Sequence, residues 1–200
     1  MRYIINERQY KLLTEQEEIL RIPFSAFGNN WDDLQKFLEK RGNPPYEITD
    51  NLDLSESNIK SLGNLTSVAG DLDLRRSKVE SLGNLTSVGG NMYLGGSKIK
   101  TLGNLTSVGG NLYLYGGKTQ SFMNVNSTED YLDLFRSGFE SFRNINSTED
   151  YLDLSRTKVE SLGNLTSVGG DLDLRETPLS KIYTEKRVRS MMEVGGKVYL

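Results

Sequence analysis

The sequence predicts a solenoid, made mainly of β-strands with short helical caps, that coils in a right-handed sense and contains one parallel sheet of about eight short strands. Three observations predict this fold. From Asn51 onward, six rows of 20 residues follow one another in register without a gap, and a seventh row breaks off. Each row begins with two apolar residues spaced by one, which is the period of a strand with one buried face. Glycine pairs close most rows, and a fixed period of this kind is the signature of stacked structural repeats.

The strands are the best defined elements. We number the positions of each row from 1 to 20, so that row 1 begins at Asn51 and row 2 at Asp71. Position 2 is Leu or Met and position 4 is Leu in all seven rows, so both are expected in the core. We predict strands at 51–55, 71–75, 91–95, 111–115, 131–135, 151–155, 171–175 and 197–200. The last strand is predicted because VGGKVYL at residues 194–200 matches VGGNMYL at residues 88–94.

The second half of each row has a different period. Apolar residues recur at positions 9, 12 and 15, and this spacing of three indicates a tight turn or a 3₁₀ segment. Valine at position 18 is followed in most rows by Gly-Gly or Ala-Gly, and glycine there is expected to permit a positive φ at a corner. Asparagine stands at position 14 of every complete row. We expect it to be buried in the turn and to bond the backbone of the next coil.

The ends of a solenoid expose its core, so terminal segments must cover it. Residues 1–45 are predicted to be a helical N-terminal cap, with capping-box patterns at Asn6 and Thr14 and a clearer helix from Asn30 to Arg41. Residues 46–181 are the seven-row solenoid. Residues 182–200 are a C-terminal capping helix that begins at Thr184, followed by the final strand. The three parts are expected to form one continuous domain.

The order of strand, turn, asparagine and next coil resembles the leucine-rich repeat. The phrase SLGNLTSVGGDLDL at residues 161–174 is similar to the short repeats of receptor L-domain-like proteins and of bacterial and bacteriophage leucine-rich-repeat proteins. The resemblance covers about residues 46–181. The two ends, MRYIINERQY and TPLSKIYTEKRVRSMMEVGGKVYL, also resemble the bacteriophage proteins. Because such solenoids bind many different partners, the resemblance implies a fold and no particular function.

Composition excludes several classes of function. The chain has no cysteine and no histidine, which excludes a disulfide framework, a zinc knuckle, a thiol nucleophile and a histidine base. The net charge of −3 gives no general attraction to nucleic acid or to an anionic membrane. We therefore expect a chain that is not an enzyme and has no catalytic residues, metal or cofactor. Without cysteine, an apolar leader or a membrane-spanning run, a cytoplasmic location is expected.

The outward face of the predicted sheet is the candidate site. Positions 1, 3 and 5 of each strand should face solvent, and in rows 3 to 6 they carry large rings. Neighbouring strands lie ~4.8 Å apart, so these rings should form one patch. The candidate partner-binding residues are Tyr93, Tyr113, Tyr115, Tyr131, Asp133, Phe135, Tyr151 and Asp153. Two glycine pairs, Gly95–Gly96 and Gly116–Gly117, predict a notch beside Tyr115.

The charge and variability of this face guide the choice of partner. Seven Asp and only two Arg occupy positions 1, 3 and 5 across the seven rows, so the face should be acidic. Its side chains differ from row to row while the buried columns stay nearly fixed, so we expect them to be free to vary. Rings beside carboxylates are typical of a binding surface. We expect a protein or peptide partner with a basic epitope, and no nucleic acid or membrane.

Other interpretations remain. If the resemblance to bacteriophage proteins holds, the chain is a viral protein that acts on a host protein in the host cytoplasm. The alternative is a protein that binds or cleaves carbohydrate with its tyrosines and with the pair Asp133 and Asp153, in which a like charge would raise one carboxyl pKa. The rings could also simply stack along the sheet without binding a partner, since Tyr and Phe favour strands.

Overall fold

A computed structural model describes residues 19–122, 127, 128, 131–142 and 146–200. The capping patterns predicted at Asn6 and Thr14 lie outside the described residues. The described chain is a β-solenoid, in which successive coils of about 20 residues stack through parallel backbone hydrogen bonds. Three stretches of the coil contribute strands, and the α-helices of the described residues are short and lie near the two ends.

The first sheet has eight parallel strands in sequential order. Its strands are Leu52–Asp53, Leu72–Asp73, Met92–Tyr93, Leu112–Tyr113, Leu132–Asp133, Leu152–Asp153, Leu172–Asp173 and Val198–Tyr199. Each residue pairs with the residue 20 positions later, as Leu112 does with Leu132, until the last step, where Leu172 pairs with Val198. The eight predicted strands are therefore confirmed in place, order and direction.

The strands are shorter than predicted, with two residues each instead of three to five. The reason lies at position 6, where the backbone takes a left-handed conformation that ends the strand. The positive φ values at this position are 56° at Glu56, 54° at Arg76, 69° at Gly96, 61° at Gly116, 53° at Arg136, 58° at Arg156 and 58° at Glu176. Five of these seven residues are not glycine, so the residue types at position 6 offer little sign of the turn.

A second set of parallel strands, which the sequence did not predict, runs along positions 17 and 18. Six strands form one sheet: Leu20–Ile22, Tyr46–Ile48, Leu65–Val68, Ser87–Val88, Ser107–Val108 and Ser127–Thr128. Three more form another: Ser147–Thr148, Ser167–Val168 and Glu193–Val194. A short pair at positions 11 and 12 joins Ser121–Phe122 to Ser141–Phe142. Runs such as Ser87–Val88 and Ser167–Val168 have one buried residue each, which is too little to show an alternating pattern.

The core is a set of stacked columns. Positions 2, 4, 9, 12, 15 and 18 point inward, and most of their side chains are fully buried. Thr119 occupies position 9 in row 4 with 0% exposure, and its hydroxyl donates to the carbonyl of Ile99 at 3.1 Å. Positions 12 to 15 form tight turns, in which the Leu105 amide donates to the Leu102 carbonyl at 3.1 Å. The turn, and not the 3₁₀ segment, is thus the correct alternative for these rows.

The paired glycines at positions 19 and 20 serve a different purpose from the predicted one. Positive φ occurs at position 13, for example at Gly103 with φ 57°, and not at Gly109 or Gly110. A Cβ on Gly109 would lie 2.4 Å from the carbonyl oxygen of Gly89 in the previous coil. Glycine is required at this corner because two backbones approach each other closely.

The asparagines at position 14 also differ from their prediction. Asn64 and Asn84 are exposed, not buried. The Asn64 amide donates to the carbonyl of Asn43 at 2.7 Å, and the Asn84 amide donates to the Asn64 side-chain oxygen at 3.3 Å. These side chains therefore link successive coils from outside, where water competes for the same hydrogen bonds.

Within residues 19–45, the N-terminal cap combines helices with a strand. The strand Leu20–Ile22 pairs with Tyr46–Ile48, and a 3₁₀ helix spans Phe24–Phe27. The predicted helix is confirmed as α1, Trp31–Glu39, and the Asn30 side chain accepts hydrogen bonds from the amides of Asp32 and Asp33. The helix buries Leu34 and Leu38, and Trp31 and Phe37 are partly buried against the core.

The C-terminal segment follows its prediction closely. After a 3₁₀ helix at Leu179–Lys181, the helix α2 spans Glu185–Arg189, and the Thr184 hydroxyl accepts from the Arg187 amide at 3.2 Å. Val188 and Met192 are buried. Met191, beside Met192, is 40% exposed.

We predict that Leu114→Ala lowers the free energy of unfolding by about 2–5 kcal/mol, because it leaves a cavity in a fully buried column. Chemical denaturation followed by circular dichroism measures this change. Lys118→Ala, at an exposed position in the same row, is the control and should have little effect. Similar midpoints for the two variants would contradict the assignment of position 4 to the core.

We also predict that Gly109→Ala destabilises the fold more than Gly103→Ala. The first change forces a methyl group against a backbone carbonyl at 2.4 Å, which costs at least about 1–3 kcal/mol when two coils must separate. The second meets nothing within 4 Å and costs about 1–2 kcal/mol through its positive φ. Thermal unfolding of both variants would show the order, and the reverse order would contradict the close approach of the coils.

Candidate functional site

The outward side of the first sheet carries a continuous row of tyrosine rings. The rings of Tyr93 and Tyr113 stack with their centroids 5.0 Å apart and their planes 1° from parallel. Tyr131 and Tyr151 stack at 5.1 Å and 16°. Tyr113 and Tyr131 join the two pairs at 5.7 Å with a tilt of 55°. The centroid spacings match the ~4.8 Å separation of strands, so the sheet itself sets the stacking.

A second stack lies at position 5. Tyr115 and Phe135 have ring centroids 5.3 Å apart and planes 23° from parallel. The guanidinium groups of Arg136 and Arg156 lie 5.3 and 5.5 Å from the Phe135 centroid. Tyr115 remains 50% exposed. This stack is therefore covered by cations at one end and open at the other.

The structure brings all eight sequence-predicted site residues onto one surface. The carboxylates Asp133 and Asp153 are direct partners in adjacent strands, and Asp133 also lies opposite Tyr113. We call this surface the ring face; it consists of Tyr93, Tyr113, Tyr115, Tyr131, Asp133, Phe135, Tyr151 and Asp153.

Stacking determines which part of each ring meets solvent. In the row of four tyrosines, the ring planes are turned towards one another. The surface therefore presents ring edges and hydroxyl groups more than open ring planes. Tyr115 is the exception, because its half-exposed ring stacks on Phe135 on one side and has a glycine, Gly95, as its strand neighbour on the other.

Aspartate at position 3 has a structural role that the sequence did not reveal. Its side-chain oxygen accepts a hydrogen bond from the amide two residues later and so closes the turn that ends the strand. The donor–acceptor distances are 2.9 Å for Asp53 with Ser55, 2.9 Å for Asp73 with Arg75, 2.9 Å for Asp133 with Phe135, 2.8 Å for Asp153 with Ser155 and 3.0 Å for Asp173 with Arg175. The recurrence of Asp in this column therefore follows from the turn.

Position 1 has a structural role as well, so its side chains are more constrained than expected. Asn or Asp there accepts a hydrogen bond from the backbone amide of the next coil. The pairs are Asn51 with Asp71 at 2.9 Å, Asp71 with Asn91 at 2.7 Å, Asn91 with Asn111 at 2.9 Å, Asn111 with Tyr131 at 2.8 Å and Asp171 with Lys197 at 2.7 Å. Tyr131 and Tyr151 lack a short side-chain oxygen and cannot continue this ladder.

Arginines neutralise two of the aspartates at position 3, one towards each end of the sheet. At the ends of the sheet, Arg75 binds Asp73 and Arg175 binds Asp173, with Nε–oxygen distances of 2.9 and 3.0 Å. Burial raises the pKa of Asp173, but the hydrogen bonds from Arg175 outweigh it and the net pKa is lowered. Within the described ranges, no ion pair joins Asp133 or Asp153 to a cation.

The neighbouring carboxylate contributes less to the pKa of Asp133 than burial does. Burial raises the pKa of Asp133 most, the hydrogen bond from the Phe135 amide lowers it, and the charge of Asp153 raises it further. The expected like-charge effect is thus present as the smaller cause of a raised pKa. Burial also raises the pKa of the hydroxyls of Tyr131 and Tyr151, so both remain protonated hydrogen-bond donors.

A groove of about 700 Å³ lies at the open end of the second stack, where the glycine pairs predicted a notch. Tyr115, Gly95 and Gly96 line it, together with Arg75 and Arg76 of the neighbouring coil. Sequence reasoning did not assign the arginines to the site. The sequence signal for them was their place at positions 5 and 6, directly after a strand. In the next row the same two positions are Gly95 and Gly96, which have no side chains.

The fold and this surface define a class, namely a β-solenoid repeat protein with an aromatic outer face. No protein-family model, curated protein or solved structure matches the chain. None of the described helices combines the length and apolar character needed to cross a bilayer. The described residues also contain no cluster of three or more His, Cys, Asp or Glu side chains suited to a metal ion.

We predict opposite effects for two substitutions in the same column. Asp133→Asn should raise the free energy of unfolding at about pH 7, because the raised pKa of Asp133 shows that the folded state disfavours its charged form. Asp173→Asn should lower it by about 1 kcal/mol or more, because it weakens charge-assisted hydrogen bonds to Arg175.

Urea unfolding at about pH 7 and about pH 3 tests the pair of variants. The difference for Asp133→Asn should be nearly gone at about pH 3, because the raised pKa of Asp133 leaves the wild-type carboxyl protonated there. The difference for Asp173→Asn should begin to shrink only below about pH 4 and should remain in part at about pH 3, because the pKa of Asp173 is lowered. A stabilised Asp173→Asn variant, or an Asp133→Asn effect that persists at about pH 3, would contradict the charge assignments.

Proposed function

We propose that the chain is a non-catalytic protein-binding module that uses the ring face to bind its partner. The observation that carries the proposal is the position of the six rings on the outside of a sheet whose inner side already holds the core. Large rings gathered on an outer surface are the usual content of a binding hot spot. The Leu columns beneath keep the surface rigid, so little conformational entropy is lost on binding.

The charge of the ring face supports a partner with a basic epitope. Asp133 and Asp153 sit between the rings, and Arg136 and Arg156 stay at the edge over Phe135. A cationic side chain of a partner can therefore reach the two carboxylates from the front. Such charges mainly set the orientation and speed of association and add little net affinity.

Carbohydrate binding or cleavage is the second candidate, and one observation favours it. The half-exposed ring of Tyr115 beside the groove could support a sugar ring. Two observations favour the protein partner instead. The four-tyrosine row turns its ring planes towards one another, and the carboxylates of Asp133 and Asp153 already close their turns.

The finer assignment also belongs to this proposal. Membership of the leucine-rich repeats, a bacteriophage-like origin and action on a host protein rest on the resemblance of SLGNLTSVGGDLDL and of the two ends of the chain. A cytoplasmic setting rests on sequence arguments, chiefly the absence of cysteine.

The proposal predicts that Tyr115→Ala combined with Phe135→Ala weakens partner binding by more than ~2 kcal/mol. The immobilised chain would first capture proteins from lysate, and calorimetry with each captured protein would then compare wild type with this double variant. The thermal midpoint should change little, because neither ring enters the core. Lys98→Ala with Lys100→Ala, exposed at positions 8 and 10, is the matched control outside the ring face.

Normal binding by the Tyr115 and Phe135 double variant would overturn the ring-face proposal and direct attention to the helical caps. A glycan array tests the second candidate: specific sugar binding that Tyr113→Ala abolishes would favour carbohydrate over protein.

The charges give a separate prediction. Asp133→Asn combined with Asp153→Asn should slow association at low salt and leave dissociation nearly unchanged, since long-range attraction acts on encounter. Stopped-flow measurements over a range of ionic strength would show a weaker salt dependence for the variant. An unchanged salt dependence would contradict a basic epitope.

A further inference from the structure

The stack at position 5 has one vacant place. In this column row 2 carries Arg75, row 3 carries Gly95, row 4 carries Tyr115 and row 5 carries Phe135. The strands themselves continue without interruption, because the Arg76 amide donates to the Gly95 carbonyl at 2.9 Å and the Gly96 amide to the Tyr115 carbonyl at 3.0 Å. The backbone of row 3 is therefore in register, and only its outward side chain is missing.

The size of the vacancy matches one planar ring. Arg75 and Tyr115 stand two strands apart, which is about 9.6 Å at ~4.8 Å per strand. Rings stacked on this face have centroids 5.0 to 5.3 Å apart. A ring placed over Gly95 would thus lie one stacking distance from Tyr115, with similar room left on the Arg75 side.

The walls of the vacancy are suited to a ring. Tyr115 is 50% exposed and uses one side of its ring to contact Phe135. A Cβ on Gly95 would lie 3.9 Å from Cγ of Arg75, so the arginine stem forms the opposite wall. The Arg75 guanidinium turns aside to Asp73 and lies 5.2 Å from the Tyr93 centroid, so it does not fill the space.

Charge complementarity distinguishes between possible occupants. The aliphatic stem of Arg75 offers an apolar surface to a ring plane, and Asp133 at the far end of the groove attracts a cation. A nucleotide would bring phosphates towards Asp133 and Asp153. The polar groups on the near wall already pair with each other, Arg75 with Asp73 and Arg76 with Glu56, and offer less to sugar hydroxyls.

We propose that the space over Gly95 receives an aromatic side chain of the protein partner, which completes the stack between Arg75 and Tyr115. This inference rests on the proposed function and deepens it. Asp133 lies two strands from Gly95 and two positions along the strand, which together is about 12 Å, and an extended peptide covers this in about three to four residues. The partner segment therefore carries a basic residue three to four positions from its aromatic residue.

The first test uses small probes and requires no known partner. N-acetyl-L-tryptophanamide is titrated into the ¹⁵N-labelled protein, and the amide signals of Gly96 and Gly116 beside the groove are followed. We expect saturable shifts in the millimolar range, and weak or no shifts with N-acetyl-L-leucinamide. The absence of shifts at both glycines would overturn the inference, as would stronger shifts from adenosine or methyl glucoside.

Substitution of Gly95 gives the decisive comparison. Gly95→Phe fills the vacancy with the protein's own ring and should weaken probe binding at least tenfold. Gly95→Ala adds the same Cβ, 3.2 Å from the Tyr115 carbonyl oxygen, without a ring and should bind nearly as wild type does. Tyr115→Leu keeps an apolar wall but removes the ring, and it should also weaken probe binding. This variant tests the inference even if Gly95→Phe does not fold. Equal affinity across these variants would overturn the inference.

A peptide probe tests the basic residue. Acetyl-Trp-Ala-Ala-Arg-amide should bind several-fold more tightly at low salt than acetyl-Trp-Ala-Ala-Glu-amide, and Asp133→Asn should remove the difference. Equal binding of the two peptides to wild type would overturn this part.

The failure of this inference and the failure of the proposed function are distinguishable. A partner that binds Gly95→Phe as it binds wild type, yet is lost with Phe135→Ala and Tyr151→Ala, overturns the inference and leaves the ring face as the binding surface. A partner that tolerates all of these changes overturns both.

Discussion

The in-register stacking of coils determines the rest of this structure. In the first seven strands of the first sheet, each residue pairs with the residue 20 positions later, so one backbone spacing of ~4.8 Å is imposed on every column. Identical side chains then stack in the core, as Leu112 does on Leu132. The same spacing brings backbones so close at the corner that Gly109 cannot carry a Cβ, and it places outward rings at stacking distance.

The part of the fold that repeats with a clear period could be predicted from the sequence. Alternating apolar residues at positions 2 and 4 located seven strands of the first sheet, and the match of VGGKVYL to VGGNMYL located the eighth. Asn30 located the helix α1. Strand length could not be predicted, because Arg76 and Glu56 adopt the left-handed turn without any sequence signal. The strands at positions 17 and 18 were missed because a run such as Ser87–Val88 contains only one inward side chain.

The candidate site, like the fold, could be predicted from the sequence only in part. A strict repeat assigns each residue to a column, so the gathering of Tyr93, Tyr113 and Tyr131 followed from counting alone. The arrangement of the arginines did not follow. A long side chain such as Arg75 can reach several partners, and its choice of Asp73 and Tyr93 depends on rotamers that only the packed structure determines.

The rings at positions 1 and 3 stand where other rows have side chains that make structural hydrogen bonds. Tyr93 and Tyr113 replace an aspartate that elsewhere closes the turn, and Tyr131 and Tyr151 replace an acceptor that elsewhere links coils. Each replacement forgoes a bond worth about 0.5–1.5 kcal/mol. Each stacked pair returns a similar amount, about 0.5–1.5 kcal/mol. The four bonds lost outnumber the three ring contacts among these tyrosines, so stacking offsets only part of the loss. What the four consecutive rows acquire is therefore not stability but aromatic surface on the outside of the sheet. Position 5 has no acceptor role of this kind, and it is there that the rows differ most, from Arg75 through the bare Gly95 to Tyr115. The column that is least constrained by the fold is thus the one that forms the groove.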